Sequence, residues 1–409
     1  MAQYQITVDD TILQGLLTRN EGLAQLVEQV LQQVLQAQVA TQLGATPYER
    51  TDERQGYRNG YREREVTTRI GTLTLKVPRV RDGRFSPELF ARYQRSEQAL
   101  VLALMEMVVN GVSTRKVTRI VEELCGDSVS KSLVSSLCQQ LDPVVTAWKD
   151  RRLDDQAYPF VLVDALVLKV RHEGRVRQQG MLLATGVNAD GYREILGLHV
   201  GDGESEASWG TFFQGLKERG LRGVDLVVSD QHAGLVKAVR THFQGATWQR
   251  CQTHFTRNLL DGCPKSLHAA LKAKLRLLFE AADLATARHL LTEILAEFSE
   301  RAGKAMATLE TGFDDATAVL ALPEAYRKRL RTTNSVERLN EELRRRERVI
   351  RIFPNRLSAE RLLGAVLLEQ QDEWTTGHRY FEMASYWEWR TGQEQAQRES
   401  ATLGPPIAA

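Results

Sequence analysis

Tyr158-Pro159-Phe160-Val161-Leu162-Val163-Asp164-Ala165-Leu166 is the stretch on which the reading of the whole chain turns. The apolar run Phe160 to Val163 reads as a buried strand with Asp164 at its end. Val167 to Arg171 continues extended, His172-Glu173-Gly174-Arg175 turns, and Met181 to Val187 returns. Asn188-Ala189-Asp190-Gly191 makes a tight turn into Ile195 to Val200. Ser205 opens a helix to Arg219, with Glu206 in its first turn answering the helix dipole. Val224 to Val228 is apolar throughout and reads as a buried strand. A helix over Gln231 to Phe243 and a short strand over Ala246 to Gln249 complete the series.

A three-strand meander followed by helix, strand, helix, strand is the order of a ribonuclease-H-like α/β core. In α/β sheets chemistry gathers at strand ends. Asp230 closes Leu226-Val227-Val228-Ser229-Asp230 as Asp164 closes the first run. If the two strands are parallel neighbours, their aspartates lie side by side and repel unless a cation neutralises them. Mg²⁺ takes hard oxygen ligands of this kind. A pair of ions ~3.5–4 Å apart can activate an attacking oxygen and stabilise a leaving one in phosphoryl transfer. The best third carboxylate is Glu337, in Thr332-Thr333-Asn334-Ser335-Val336-Glu337-Arg338-Leu339-Asn340. Asn334 or Ser335 would cap a helix over Ser335 to Val349, with Glu337 in its first turn beside a face marked by Val336, Leu339, Leu343 and Ile350. Arg344, Arg345, Arg346 and Arg348 continue that helix, within reach of phosphates being processed. Taken singly, a strand-end aspartate usually serves a turn and a first-turn glutamate the helix dipole. The combination carries the reading. Asp154, Asp155, Asp225, Glu341 and Glu342 lack those positions.

The rest of the chain surrounds this core. Its 409 residues exceed one compact core, and 42% hydrophobic with 26% charged residues fits a soluble globular protein. No apolar stretch approaches a membrane span, and Met1 to Asp10 has no secretory pattern, so a cytosolic protein is expected. The net charge of +2 decides nothing, but its distribution does. Arg54 to Arg95 holds eleven Lys/Arg against four Asp/Glu, and Tyr326 to Arg356 repeats that imbalance. Both stretches suit phosphate contact, or a solvated face.

Asn20 to Leu43 is an amphipathic helix that needs a partner, within the chain or in a second copy, and 1–45 is assigned as a dimerisation helix. Residues 46–96 form a basic Gly/Arg/Tyr segment containing Arg58 and Arg62, with a hairpin over Val66 to Val77 that Pro78 should end. Residues 97–150 read as a helix-turn-helix or a generic helical bundle. A helix ends near Asn110-Gly111, Ser113 caps a second that carries Arg115, and Ser130 caps a third reaching Leu141. The last would expose Lys131, Ser132, Ser135, Ser136 and Gln139 to base edges. Residues 259–330 read as a helical insertion that divides the catalytic core into 151–258 and 331–358, and 359–409 as a C-terminal helical tail.

Cys251 and His254 can share a helix face, and Cys263 and His268 follow, but the spacing fits no common zinc site. The motif either packs in the core or borders the active site, where His254, Arg257 and Asn258 would contact phosphate or order catalytic groups.

These segments together resemble the transposases of Mutator-type bacterial insertion sequences, from about Tyr48 to Tyr386. The matching runs are Tyr57 to Arg62, Gly111 to Arg115, Asp164-Ala165-Leu166, Ser229 to Leu235, Trp248 to Asn258 and Thr333 to Arg338. The resemblance implies a DDE triad of Asp164, Asp230 and Glu337 working with Mg²⁺, for which Mn²⁺ can substitute. It implies terminal-inverted-repeat binding by the N-terminal region, a helical insertion before the glutamate, and homodimers acting on element and target DNA. A DNA-binding regulator with a vestigial catalytic fold, or a nuclease that only hydrolyses, are the alternative readings.

Overall fold

The computed structural model describes residues 6–8, 22–81, 85–87, 96–125 and 129–402, which fall into two compact units, 1–140 and 141–409.

In the first unit, helix α1 (Gly22–Leu43) lies on a hairpin of β1 (Arg58–Thr68) and β2 (Gly71–Val80). Leu35 is buried with Val66, Leu73, Leu75 and Val77, while Val39 and Leu43 meet Val80. The glutamine-rich flank is used as well. Gln32 accepts from the Lys76 N–H at 2.9 Å and donates to the Lys76 carbonyl at 2.7 Å, acting as a partner for the open β2 edge. The helix assigned to dimerisation therefore spends much of its apolar face within its own chain. Leu23, on its first turn, stays 48% exposed. Pro78 does not end β2. It faces Tyr61 next to a register shift that carries Gly60 at φ +72°, and in a two-stranded ribbon a missing N–H can face outward. Arg58, expected on DNA, turns inward and donates to the Ala45 carbonyl at 3.0 Å, whereas Arg62 is exposed.

Three short helices follow: α2 (Gln98–Val109), α3 (Thr114–Cys125) and α4 (Lys131–Cys138). Ser113 accepts from the Lys116 N–H at 3.4 Å and Ser130 from the Leu133 N–H at 3.1 Å, the caps expected of them. Leu104, Val117, Val121, Val134 and Leu137 are buried, and Arg115, Lys131, Ser132, Ser135, Ser136 and Gln139 are exposed. The turn at 126–128 lies outside the described residues. The third helix tightens after Cys138 into a 3-10 turn over Gln139–Leu141, reaching Leu141 as expected, and α5 (Asp142–Lys149) follows directly with Pro143 in its first turn. Helix α5 belongs to the second unit, so the expected boundary at 150 moves back.

The second unit is built on a five-stranded mixed sheet of β3 (Phe160–His172), β4 (Arg175–Val187), β5 (Arg193–Gly201), β6 (Leu226–Ser229) and β7 (Thr247–Arg250). The order is β5-β4-β3-β6-β7, antiparallel from β5 to β3 and parallel from β3 to β7. Helices α6 (Glu206–Glu218) and α7 (Ala233–His242) cover one face. Trp209, Phe212, Phe213 and Leu216 of α6 and Leu235, Ala238 and Val239 of α7 share a core with Val161, Val163, Leu182 and Val227. Ser205 caps α6 by accepting from the Ser208 N–H at 3.1 Å.

Four helices carry the chain from β7 to the glutamate: α8 (Gln252–Asp261), α9 (His268–Phe279), α10 (Leu284–Thr317, interrupted at Ala302) and α11 (Glu324–Leu330). Phe255 and Leu259 of α8 lie in one core with Leu271, Leu275, Phe298, Leu309 and Phe313. A boundary after 258 would cut this helix, so the helical body begins at α8. Gln249 fastens that body to the sheet, donating to the Ala316 carbonyl at 2.8 Å and accepting from the Val319 N–H at 2.7 Å.

Beyond α12 (Asn334–Ile350), Phe353 bridges to β3, exchanging backbone bonds of 2.9 Å with Lys169 and Arg171. Helix α13 (Arg356–Thr376) then packs on β5 and α5. Arg361 grips Asp142 with two bonds of 2.6 and 2.8 Å. Tyr386 of α14 (Ala384–Thr402) is fully buried against Phe160 and Tyr326. Residues 359–402 are thus an integral layer of this unit and not a tail, because the sheet face opposite α6 and α7 needs cover. Residues 403–409 lie outside the described residues.

Candidate active site

Parallel pairing of β3 with β6 runs Phe160–Leu226, Val161–Val227 and Leu162–Val228, and there it stops. Strand β6 ends at Ser229, but β3 continues to His172 on its other neighbour. Asp164 therefore does not end its strand. It sits in mid-strand where the parallel neighbour has run out, and the register brings Asp230 abreast of it. Asp164 Oδ1 accepts from the Ala165 N–H at 2.9 Å, and Oδ2 accepts from Asn340 Nδ2 at 2.8 Å. Burial pushes the Asp164 carboxyl up to about 6; the bond from Ala165 opposes this, the charge of Asp230 adds to it, and His254 and Asn340 oppose it.

Asn340 is a site residue that the sequence reading did not single out. It is 6% exposed, and its Oδ1 has no hydrogen-bond partner. The signal was its spacing: three residues after Glu337, one turn along the same side of α12. Asn340 touches Asp164, and Glu337 stands one turn before Asn340 on the same helix, an axial rise of about 4.5 Å along α12. The ligand oxygens of Asp164, Asp230 and Glu337 do not form a group within 4.8 Å of one another. Glu337 accepts from Thr333 Oγ1 at 3.1 Å, and its Oε1 lies 3.7 Å from His254 Nε2. Glu204 is a further carboxylate in this corner, 3.9 Å from His232. Burial raises its pKa, and the charge of Asp230 adds to that effect.

Cys251 and His254 border this group. Cys251 leaves β7 fully buried, its N–H on the Ser229 carbonyl at 2.7 Å, and its sulfur accepts from Thr333 N at 3.4 Å and Thr333 Oγ1 at 3.3 Å. Burial pushes the Cys251 thiol up, yet His254 and Thr333 together outweigh it and hold it below its ordinary value. His254 is raised, chiefly by its bond with Cys251. Arg257 and Asn258 point from α8 to solvent. Cys263 instead donates to the Pro264 carbonyl at 3.7 Å, and His268 contacts the Cys263 carbonyl at 3.0 Å, so neither joins Cys251.

The arginines of α12 divide. Arg338, Arg344, Arg345 and Arg348 are exposed. Arg346, expected on DNA, is 4% exposed and pairs with Glu342 at 2.5 Å, because its position falls on the side of the helix opposite Glu337. Arg344 and Arg348, seven and eleven residues after Glu337, return to the line of the glutamate.

Residues 3–377 match a family model described as Transposase, Mutator family. The chain belongs to this transposase family. It is 49% identical over 321 residues to the transposase for insertion sequence element IS256 in transposon Tn4001 of Staphylococcus aureus, covering 78% of this chain and 82% of that one. The transposase for insertion sequence element ISRM5 of Rhizobium meliloti is 44% identical over 320 residues, 78% of this chain and 80% of its own. That for insertion sequence element IS1081 of Mycobacterium tuberculosis is 40% identical over 348 residues, 84% of each. As a transposase it acts on DNA, and among its described residues no helix is long and apolar enough to cross a membrane.

Proposed function

We propose that this Mutator-family protein is a DDE transposase, with Asp164, Asp230 and Glu337 as its catalytic carboxylates on a ribonuclease-H-like core. The observation that carries the reading is the junction at Asp164. Its parallel neighbour stops short, Asp230 emerges beside it, and Asn340 ties it to the helix that bears Glu337. The strand order, three antiparallel and two parallel, supports the fold assignment.

By chemical type the three carboxylates suit a hard divalent cation, and holding one jointly would require Glu337 to close towards the two aspartates. Burial makes the charge on Asp164 costly, Asp230 adds to that cost, and the orphaned Asn340 Oδ1 supplies one more hard oxygen at the same corner. Mg²⁺, or Mn²⁺ in its place, would be held by Asp164, Asp230 and Glu337. When bound it supplies the positive charge that activates the attacking oxygen and stabilises the leaving one. The protein's own contribution is placement. Asn340 orients Asp164, Thr333 orients Glu337, and the exposed Arg338, Arg344, Arg345 and Arg348 bind the phosphates that flank the cut. Water first cleaves a phosphodiester at an element end, and the freed 3′-hydroxyl then attacks a second phosphodiester. The first unit, with Arg62, Arg115 and the exposed side of α4 (Lys131, Ser132, Ser135), binds the terminal inverted repeats through a helix-turn-helix. A homodimer holds paired ends.

The test uses a labelled duplex carrying the element end, with Mg²⁺. Wild type should nick it and join it to target DNA, and chelation should stop both while DNA stays bound. Asp164→Asn should bind equally and cut nothing. Cleavage at the wild-type rate by that variant would remove the triad, and wild-type nicking without joining would favour a hydrolytic nuclease.

A further inference from the structure

The Cys-x-x-His motif has no task in the chemistry just described, yet it touches one of its carboxylates. Cys251 Sγ, a His254 ring nitrogen and a Glu337 carboxylate oxygen all lie within 4.8 Å of one another, and among the described residues this is the one such group. Three separate elements bring them together. Cys251 is pinned by the Ser229 carbonyl at the end of β7, His254 sits one turn into α8, and Glu337 lies in the first turn of α12. Thr333 bonds both Cys251 and Glu337, tying α12 to the sulfur. His254 Nδ1 is buried without a hydrogen-bond partner.

We propose that Cys251, His254 and Glu337 form a three-donor site for a soft divalent ion, zinc above all, whose occupancy withdraws Glu337 from the magnesium site. One sulfur, one imidazole nitrogen and one carboxylate oxygen, with a fourth position open to water, is a zinc donor set. Magnesium has no use for sulfur or imidazole, so the motif selects against the very ion that the neighbouring aspartates suit. Binding needs only small closures of the three side chains, and it releases the thiol proton of Cys251 to solvent. The carboxylate of Glu337 cannot serve both ions, so the two compete for it. The inhibition rests on the catalytic role given to Glu337 above, whereas the binding stands without it.

Cobalt(II) is the probe for the site, because a thiolate–cobalt contact gives a near-ultraviolet charge-transfer band and magnesium is silent. Titrating the full-length protein with cobalt should produce that band at one equivalent, and zinc should abolish it. Cys251→Ser should lose it, Cys263→Ser should keep it, and Glu337→Gln should weaken cobalt binding by at least the 10–100-fold that altered ligand support costs. In magnesium-dependent nicking, zinc should inhibit wild type, and the inhibitory concentration should rise at least tenfold in Cys251→Ser relative to that variant's own zinc-free rate. Since Cys251 is buried, His254→Ala is the second variant, expected to bind cobalt as weakly. No charge-transfer band in wild type, or a band that survives in both Cys251→Ser and His254→Ala, overturns the site. Loss of nicking in Glu337→Gln reports on the carboxylate alone, so the two ideas fail separately.

Discussion

Asn340 is the residue through which the proposed site is most directly tested. Its Nδ2 lies 2.8 Å from Asp164 Oδ2, and the side chain is 6% exposed, so water cannot readily replace the bond. A hydrogen bond to a charged group contributes about 1.5–3 kcal/mol net. If that bond holds Asp164 in its productive orientation, Asn340→Ala loses this amount from the transition state, about 10–150-fold in rate at ~1.4 kcal/mol per decade. The assay is single-turnover nicking of a labelled element-end duplex, with protein in excess and Mg²⁺ titrated, beside fluorescence anisotropy on the same duplex. Asn340→Ala should bind as wild type, nick slowly, and need more Mg²⁺ to reach its plateau. Asn340→Asp separates orientation from charge. It keeps the shape but sets another carboxylate against Asp164, so its deficit should shrink as Mg²⁺ rises. Nicking by Asn340→Ala at the wild-type rate across the whole titration would refute the argument, because the bond would then do nothing for the aspartate.

Other consequences follow from the same helix and its neighbours. Replacing Arg344 and Arg348 together with alanine should weaken binding to duplex DNA and make its salt dependence shallower by about 2 in slope, at ~0.9 per lost phosphate contact; an unchanged slope places those contacts elsewhere. Arg346→Ala should leave the slope alone and lower the melting temperature, because this guanidinium is 4% exposed. For Glu342, burial raises the carboxyl, but Arg345 and Arg346 outweigh it and leave the pKa below 4.5. Its stabilisation is therefore complete above that value and is lost as pH falls through the lowered folded-state pKa. Glu342→Gln should lower the melting temperature at pH 7 and flatten its fall below about pH 4.5. Gly312→Ala should cost about 1–3 kcal/mol by overpacking. A Cβ there would stand 2.6 Å from Arg250 Nη1 and 2.8 Å from the Phe255 ring. An unchanged melting temperature would show that the α8–α10 contact yields.

The local patterns of the chain determined much by themselves. Short apolar runs flanked by turn residues located β3 to β7 within a few positions, because strand burial and turn chemistry are local properties. Ser113, Ser130 and Ser205 marked helix starts for the same reason: a cap is a bond across three residues. Asp230 and Glu337 could be proposed because each falls at a place set by its own element, whereas Asp164 looked like a strand end and is in fact mid-strand, its place set by where β6 stops. What needed the tertiary structure was every question of partner. No pattern in Asn20 to Leu43 says that its apolar face is met by β2 of the same chain. None in 359–402 says that α13 and α14 close the open face of the sheet. Arg346 looks like its neighbours in sequence, yet the helix turns it inward to Glu342 while Arg344 and Arg348 face outward. Asn340 beside Asp164, and Cys251 beside Glu337, unite residues 176 and 86 positions apart, and only the packing of α12 on β3, with Thr333 bonded to Cys251 beyond β7, brings them together.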